Sequence, residues 1–163
     1  NADHEVEKLY RSNKKIYTKL KKSLPRYINS FPINKKEILE AILKNKKNLS
    51  KIVKIVHLEV RKKMKIFLKK NKKKKIVILD IPLLLENKIN NKNDILVYVE
   101  SKKKDVLKKL KQRKNFNLKL FKKFKTIQLP SSFKKQQSQF IIKNDFTKKT
   151  VRNRIKDILE VVI

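Results

Sequence analysis

The chain has 163 residues, 47 Lys+Arg against 14 Asp+Glu, a net charge of +33, and no Gly, Cys or Trp. Without Cys there is no disulfide framework, no thiol nucleophile and no Cys-based zinc site; without Gly there is no G-x-x-x-x-G-K-S/T phosphate loop and no G-x-G-x-x-G turn within the chain as written. The length suits one domain with a real core, no apolar run reaches the roughly 18 residues that span a membrane, and the polar, acidic start Asn1-Ala2-Asp3-His4-Glu5 is not a signal peptide. A cytoplasmic protein is therefore expected. The first residue is Asn1 rather than Met, so either a start has been removed or the sequence is a piece of a longer protein.

Residues 4–24 read as a weakly patterned helix, followed by punctuation at Pro25 and Pro32. From Glu37 to about Lys70 a helix is expected. Ile38 and Ile42 are four apart, and Leu49, Ile52, Val53, Val56, Val60, Met64 and Phe67 recur at three- and four-residue steps. After the charge run Lys72–Lys75 the pattern changes. Ile76-Val77-Ile78-Leu79-Asp80-Ile81, stopped by Pro82, reads as a strand buried on both faces, and Asp94-Ile95-Leu96-Val97-Tyr98-Val99 as a second. Residues 87–93 between them are polar loop. Val106, Leu107 and Leu110 give a helix over Lys102–Lys114, Phe140-Ile141-Ile142 a third short strand, and Val151, Ile155, Ile158, Leu159 and Val162 one face of a last helix, with Thr147 or Thr150 as its N-cap. The order of helices, then β, β-α, β-α, predicts an α/β domain with a parallel sheet and a helical insertion.

The charge invites a nucleic-acid reading, since a basic face gains affinity by releasing counterions from phosphates. Yet only Arg11, Arg26, Arg61, Arg113, Arg152 and Arg154 are Arg, the residue that reads phosphates and base edges with a bidentate fork. Richness in Lys, Asn and Ile with no Gly is also what drift in an A/T-rich genome produces. Weak, non-specific binding to polyanions at low salt is expected on either account.

Few residues stand out as chemistry. Asp80 lies near the carboxyl end of an expected buried strand, where α/β sheets bind ligands; it holds Mg²⁺ or a hydroxyl there, or it caps the Pro82 turn. His57 and Arg61 share a helix face, to grip a phosphate or simply to meet solvent. Arg113 closes the helix after the second strand, to reach a transferring phosphoryl group or to complement the helix C-terminus. Asp3 is a plausible N-cap. His4 and His57 are too few for a His-rich metal site, and no Ser-His-Asp triad can be placed.

Several segments together resemble the dephospho-CoA kinase family. Asp80-Ile81-Pro82-Leu83-Leu84-Leu85-Glu86 is similar to its D-I/V-P-L-L-F-E segment, with Leu85 for Phe. Ala2-Asp3-His4-Glu5-Val6-Glu7-Lys8-Leu9-Tyr10 is similar to D-A-D-x-x-V-x-x-L-Y, with Asn1 for the first Asp. His57-Leu58-Glu59-Val60-Arg61-Lys62-Lys63-Met64 is similar to H-P-x-V/I-R-x-x-M, with Leu58 for Pro. Leu110-Lys111-Gln112-Arg113 fits an R-L-x-x-R lid element with Lys109 for its first Arg, Gln128-Leu129-Pro130 fits a Q-x-P turn, and Phe140-Ile141-Ile142-Lys143-Asn144 fits a D-x-V-I-x-N strand.

The resemblance implies a P-loop kinase fold with a helical CoA-binding insertion and a lid. On it, residues 1–163 form a single kinase-like domain: 12–72 the helical substrate subdomain, 73–112 and 131–163 the α/β core, and 113–130 the lid. It implies transfer of the γ-phosphoryl of ATP to the ribose 3′-hydroxyl of dephospho-CoA with Mg²⁺, by a monomer acting on small molecules. Asp3 would be the base, Arg113 the lid arginine, His57 and Arg61 contacts to the CoA substrate, Lys109 a further substrate contact, and Asp80 part of the acceptor and Mg²⁺ surroundings. The family's strand, Gly-rich phosphate loop and helix come just before the D-A-D segment. A chain made from Asn1 onward is accordingly expected to fold only in part and to lack kinase activity, because the β- and γ-phosphates have no backbone N–H cradle.

Overall fold

Asparagine sets most of the helix starts in this glycine-free chain. Its side-chain oxygen takes a free backbone N–H of the first turn. Asn1 caps α1 (Ala2–Ser12), Asn13 caps α2 (Lys14–Ser23), Asn34 caps α3 (Lys35–Lys44) and Asn45 caps α4 (Lys46–Lys70). These caps correct two sequence expectations. The single helix over 4–24 is α1 and α2, broken at Asn13, and the single helix over 37–70 is α3 and α4, broken at Asn45. At both breaks the Asn takes an extended backbone, ending one helix while its side chain opens the next.

The computed structural model describes residues 1–114 and 116–163, which form two compact units, Asn1–Pro82 and Leu83–Ile163. In the first unit α1, α2 and α3 all pack on α4. Their core is aliphatic apart from Tyr10: Leu9, Ile16, Leu20, Leu24, Ile28, Ile33, Ile38, Ala41, Ile42, Leu49, Ile52 and Val56 are buried with it. The expected stripe on α4 is thus buried over its N-terminal half only. Val60 and Met64 are half-buried and Phe67 is exposed, where the helix runs on into the lysines at its end.

In the second unit β1 (Val97–Glu100) pairs in parallel with β2 (Phe140–Lys143), Val97 opposite Phe140 and Glu100 opposite Lys143. Between them run α5 (Lys103–Lys111), α6 (Leu118–Lys125) and α7 (Ser131–Gln136), and α8 (Lys148–Val162) follows and packs on β2. The parallel pair with helical crossovers bears out the mixed α/β expectation. The last helix starts at Thr147, whose side chain accepts from the Thr150 N–H; Val151, Ile158 and Val162 are half-buried while Ile155 and Leu159 are exposed. α6 and α7 lie where sequence patterning gave no helix.

Two strand expectations are corrected. Residues 76–81 form no strand: a strand exists only through its ladder, and among the described residues the one backbone hydrogen bond between this stretch and another segment is Ala2 N–H to Asp80 O, at 2.9 Å. Ile78 is 80% exposed, so the run is not buried on both faces. Nor is β1. Val97 and Val99 are exposed, because among the described residues of the unit nothing covers the face that carries them.

Candidate active site

The first turn of α1 and the end of the 76–81 run are joined twice. Besides the backbone bond, the Asn1 amide donates to Asp80 Oδ2 at 2.5 Å while its own oxygen accepts the His4 N–H at 3.2 Å. One side chain thus caps the helix and holds the carboxylate. Asp3 lies in that same first turn, exposed. This corrects two expectations: Asn1, not Asp3, is the N-cap, and the Asp80 carboxylate takes the Asn1 amide rather than capping the Pro82 turn.

α1 is also tied to the helices around it. Glu5 accepts from Lys8 at 2.9 Å and from Lys63 of α4 at 3.1 Å, and Glu7 from Lys35 of α3 at 2.9 Å. The Lys8 and Lys63 ammonium groups hold the Glu5 carboxyl below the usual carboxylate range, and Lys35 does the same for Glu7. The composition gave no reason to single out either acid, because contacts across helices are invisible in a sequence. His57 and Arg61 lie one turn apart on α4, two turns or less before Lys63, His57 half-buried and Arg61 exposed.

In the second unit α5 ends at Lys111 with Gln112 as its C-cap, so Arg113 stands just beyond the helix rather than closing it; its N–H reaches the Leu110 carbonyl at 3.1 Å. Lys109 of α5 lies 5.9 Å over the Phe146 ring, within cation–π range. Around them Asp105, Lys108, Lys109, Gln112, Asp145 and Phe146 line a cavity of about 360 Å³. Asp145 accepts from the Thr147 hydroxyl at 2.7 Å, from the Thr147 N–H at 2.9 Å and from the Thr150 hydroxyl at 2.9 Å; these bonds hold its carboxyl below the usual range and fix the start of α8. Phe146 has φ 66°, a left-handed conformation that a side chain tolerates poorly.

One residue that sequence reading missed is Glu86. Its side chain is 9% exposed, and Oε1 accepts from the Leu129 N–H at 3.0 Å and from Lys134 Nζ at 2.6 Å. The signal was there: a single acid closing the apolar run Ile81–Leu85 enters a largely apolar environment unless the fold supplies partners.

A dephospho-CoA kinase family model matches residues 1–150. The chain belongs to the dephospho-CoA kinase family. Curated dephospho-CoA kinases align over nearly all of it. The one from Wolbachia sp. subsp. Brugia malayi (strain TRS) is 29% identical over 162 residues, 98% of this chain and 83% of that protein. Those of Wolbachia pipientis wMel and Bartonella quintana (strain Toulouse) are 28% and 27% identical, again over 98% of this chain and 83% of theirs. The resemblance read from short motifs is therefore borne out along the chain, and it favours a phosphotransferase of coenzyme A biosynthesis over a nucleic-acid binder or a remnant without a ligand. Among the described residues no helix is long and apolar enough to cross a membrane.

Proposed function

We propose that this chain serves the transfer of the γ-phosphoryl of ATP to the ribose 3′-hydroxyl of dephospho-CoA, on a P-loop kinase fold. The observation that carries the reading is the double link of Asn1 and Ala2 to Asp80, which keeps the turn bearing Asp3 beside that carboxylate. In this account Asp3 accepts the proton of the 3′-hydroxyl as its oxygen bonds to the γ-phosphorus, and ADP leaves as the bridging bond breaks. Such a reaction needs positioning and charge stabilisation more than covalent chemistry. Arg113 steadies the charge on the transferring group. His57 and Arg61 hold the CoA substrate. Lys109, over Phe146 at the rim of the cavity, takes the nucleotide side.

Mg²⁺ fits these residues. It binds through one or two carboxylates plus substrate phosphates, and the exposed Asp80 offers one. Asp80 would hold the ion, and the ion would neutralise phosphate charge. Among the described residues no cluster of three or more His, Asp or Glu forms an all-protein cage, and Mg²⁺ does not require one. The fold division of residues 12–72 for CoA, 73–112 and 131–163 for the core and 113–130 for the lid belongs to the same proposal. The net charge of +33 adds weak attraction to any polyanion at low salt.

Titration of the chain with dephospho-CoA tests this reading. We expect saturable binding, with Arg61→Ala weakening it by about tenfold, as loss of one charge-assisted contact does. Binding that tracks only phosphate count, falls steeply with salt and ignores Arg61→Ala would overturn it.

A further inference from the structure

The buried carboxylate of Glu86 has no part in the chemistry above. It sits in a turn over 82–88 wound without glycine. Leu83 and Lys88 are both left-handed, at φ 59° and 48°. The Asn87 N–H and side-chain amide both donate to the Leu83 carbonyl, at 3.1 and 2.8 Å, and the Ile89 N–H to that of Leu84 at 3.2 Å. A left-handed leucine persists only where its surroundings over-determine it, so this is a rigid turn. It directs Glu86 toward the stretch that joins α6 to α7. There Oε1 takes Leu129 N–H and Lys134 Nζ, while Oε2 is buried with no partner among the described residues.

A buried carboxylate is retained only with compensating donors. Glu86 has two, from a loop and a helix more than forty positions along the chain. The Leu129 N–H precedes Pro130, which has no N–H of its own. Glu86 Oε1 is thus the acceptor that fixes the backbone where the stretch ends.

We propose that Glu86 is a positioning residue for the strap 116–130: its carboxylate is the foot that holds the end of this stretch, through the Leu129 N–H and Lys134. Arg113 lies just ahead of this strap in the sequence, and the strap's reach is set by the Glu86 foot. Naming Arg113 rests on the proposed phosphoryl transfer; the strap itself does not.

The test is amide hydrogen exchange along 116–130 in the whole protein, for wild type, Glu86→Gln and Lys134→Met. Glu86→Gln keeps a neutral acceptor but loses the ion pair, and Lys134→Met leaves the carboxylate without its cation. Both variants are expected to speed exchange at Leu129 and through α6 by about tenfold or more, with exchange in α1–α4 unchanged. Where turnover is measured, the KM for ATP rises and that for dephospho-CoA does not. Unchanged exchange at Leu129 in both variants would overturn the strap. Faster exchange without any effect on ATP kinetics would leave the strap standing and remove its link to Arg113. Should Glu86→Gln unfold globally, Lys134→Met decides on the same readout.

Discussion

At the scale of single residues, one side chain beside the proposed site does two jobs. Asn1 caps α1 and grips Asp80; an amide manages both because it donates and accepts, whereas an Asp at that position would only accept. Asp3, in the turn so held, is the proposed base. Asp3→Asn should lower transfer by about 10²–10⁴-fold with dephospho-CoA affinity nearly unchanged, since a lost base acts on the transition state. Glu86 makes a pH prediction. Burial raises its carboxyl, but the Lys134 ammonium and the N–H donors outweigh this and hold it below the ordinary value. A carboxyl lowered on folding contributes stability that is full above its unfolded pKa, near 4.3, and is lost as pH falls through the lower folded one. Acid unfolding of Glu86→Gln followed by circular dichroism should therefore be less steep below about pH 4 than that of wild type. Asp3, Asp80, His57, Arg61 and Arg113 could all be named from short motifs. Asn1's double role and Glu86's partners could not, because each depends on a contact across 43 to 79 positions.

At the scale of elements, periodicity marked where α3, α4, α5 and α8 run but missed the breaks between helices. Asn13 and Asn45 each end one helix and cap the next, and an Asn inside an apolar stripe does not announce this by its spacing. Asn45→Ala should cost about 1 kcal/mol in urea unfolding, the usual value of a lost cap. The absence of glycine also leaves a mark. Lys88 is exposed and left-handed, so Lys88→Gly should stabilise by roughly 0.5 kcal/mol despite the entropy glycine adds to the unfolded chain. The run 76–81 has the composition of a buried strand and forms none, because composition offers apolar faces but only a neighbouring strand completes the ladder. The two strands that do form, β1 and β2, have each other.

At the scale of the molecule, the core is uneven. Among the described residues every buried apolar side chain except Leu120 and Ile142 belongs to the first unit. Native-state hydrogen exchange should show its strongest protection in α2, α3 and the first half of α4, and weaker protection through the second unit. Ile28→Ala, at a fully buried site, should cost about 2–5 kcal/mol. The mixed α/β class was legible in the order of patterned elements, and the family in the ordered motifs. The division into units was not, since it follows from which stripes find partners. The net charge, the most conspicuous feature of the composition, says little about function beside the family match over residues 1–150. The most direct test uses the protein as its source makes it, with ATP radiolabelled at the γ position, Mg²⁺ and either dephospho-CoA or CoA as acceptor. Label is expected to pass saturably to dephospho-CoA, at the ribose 3′ position, and not to CoA, whose 3′-hydroxyl is already phosphorylated. No transfer to dephospho-CoA, or equal transfer to both, would contradict this.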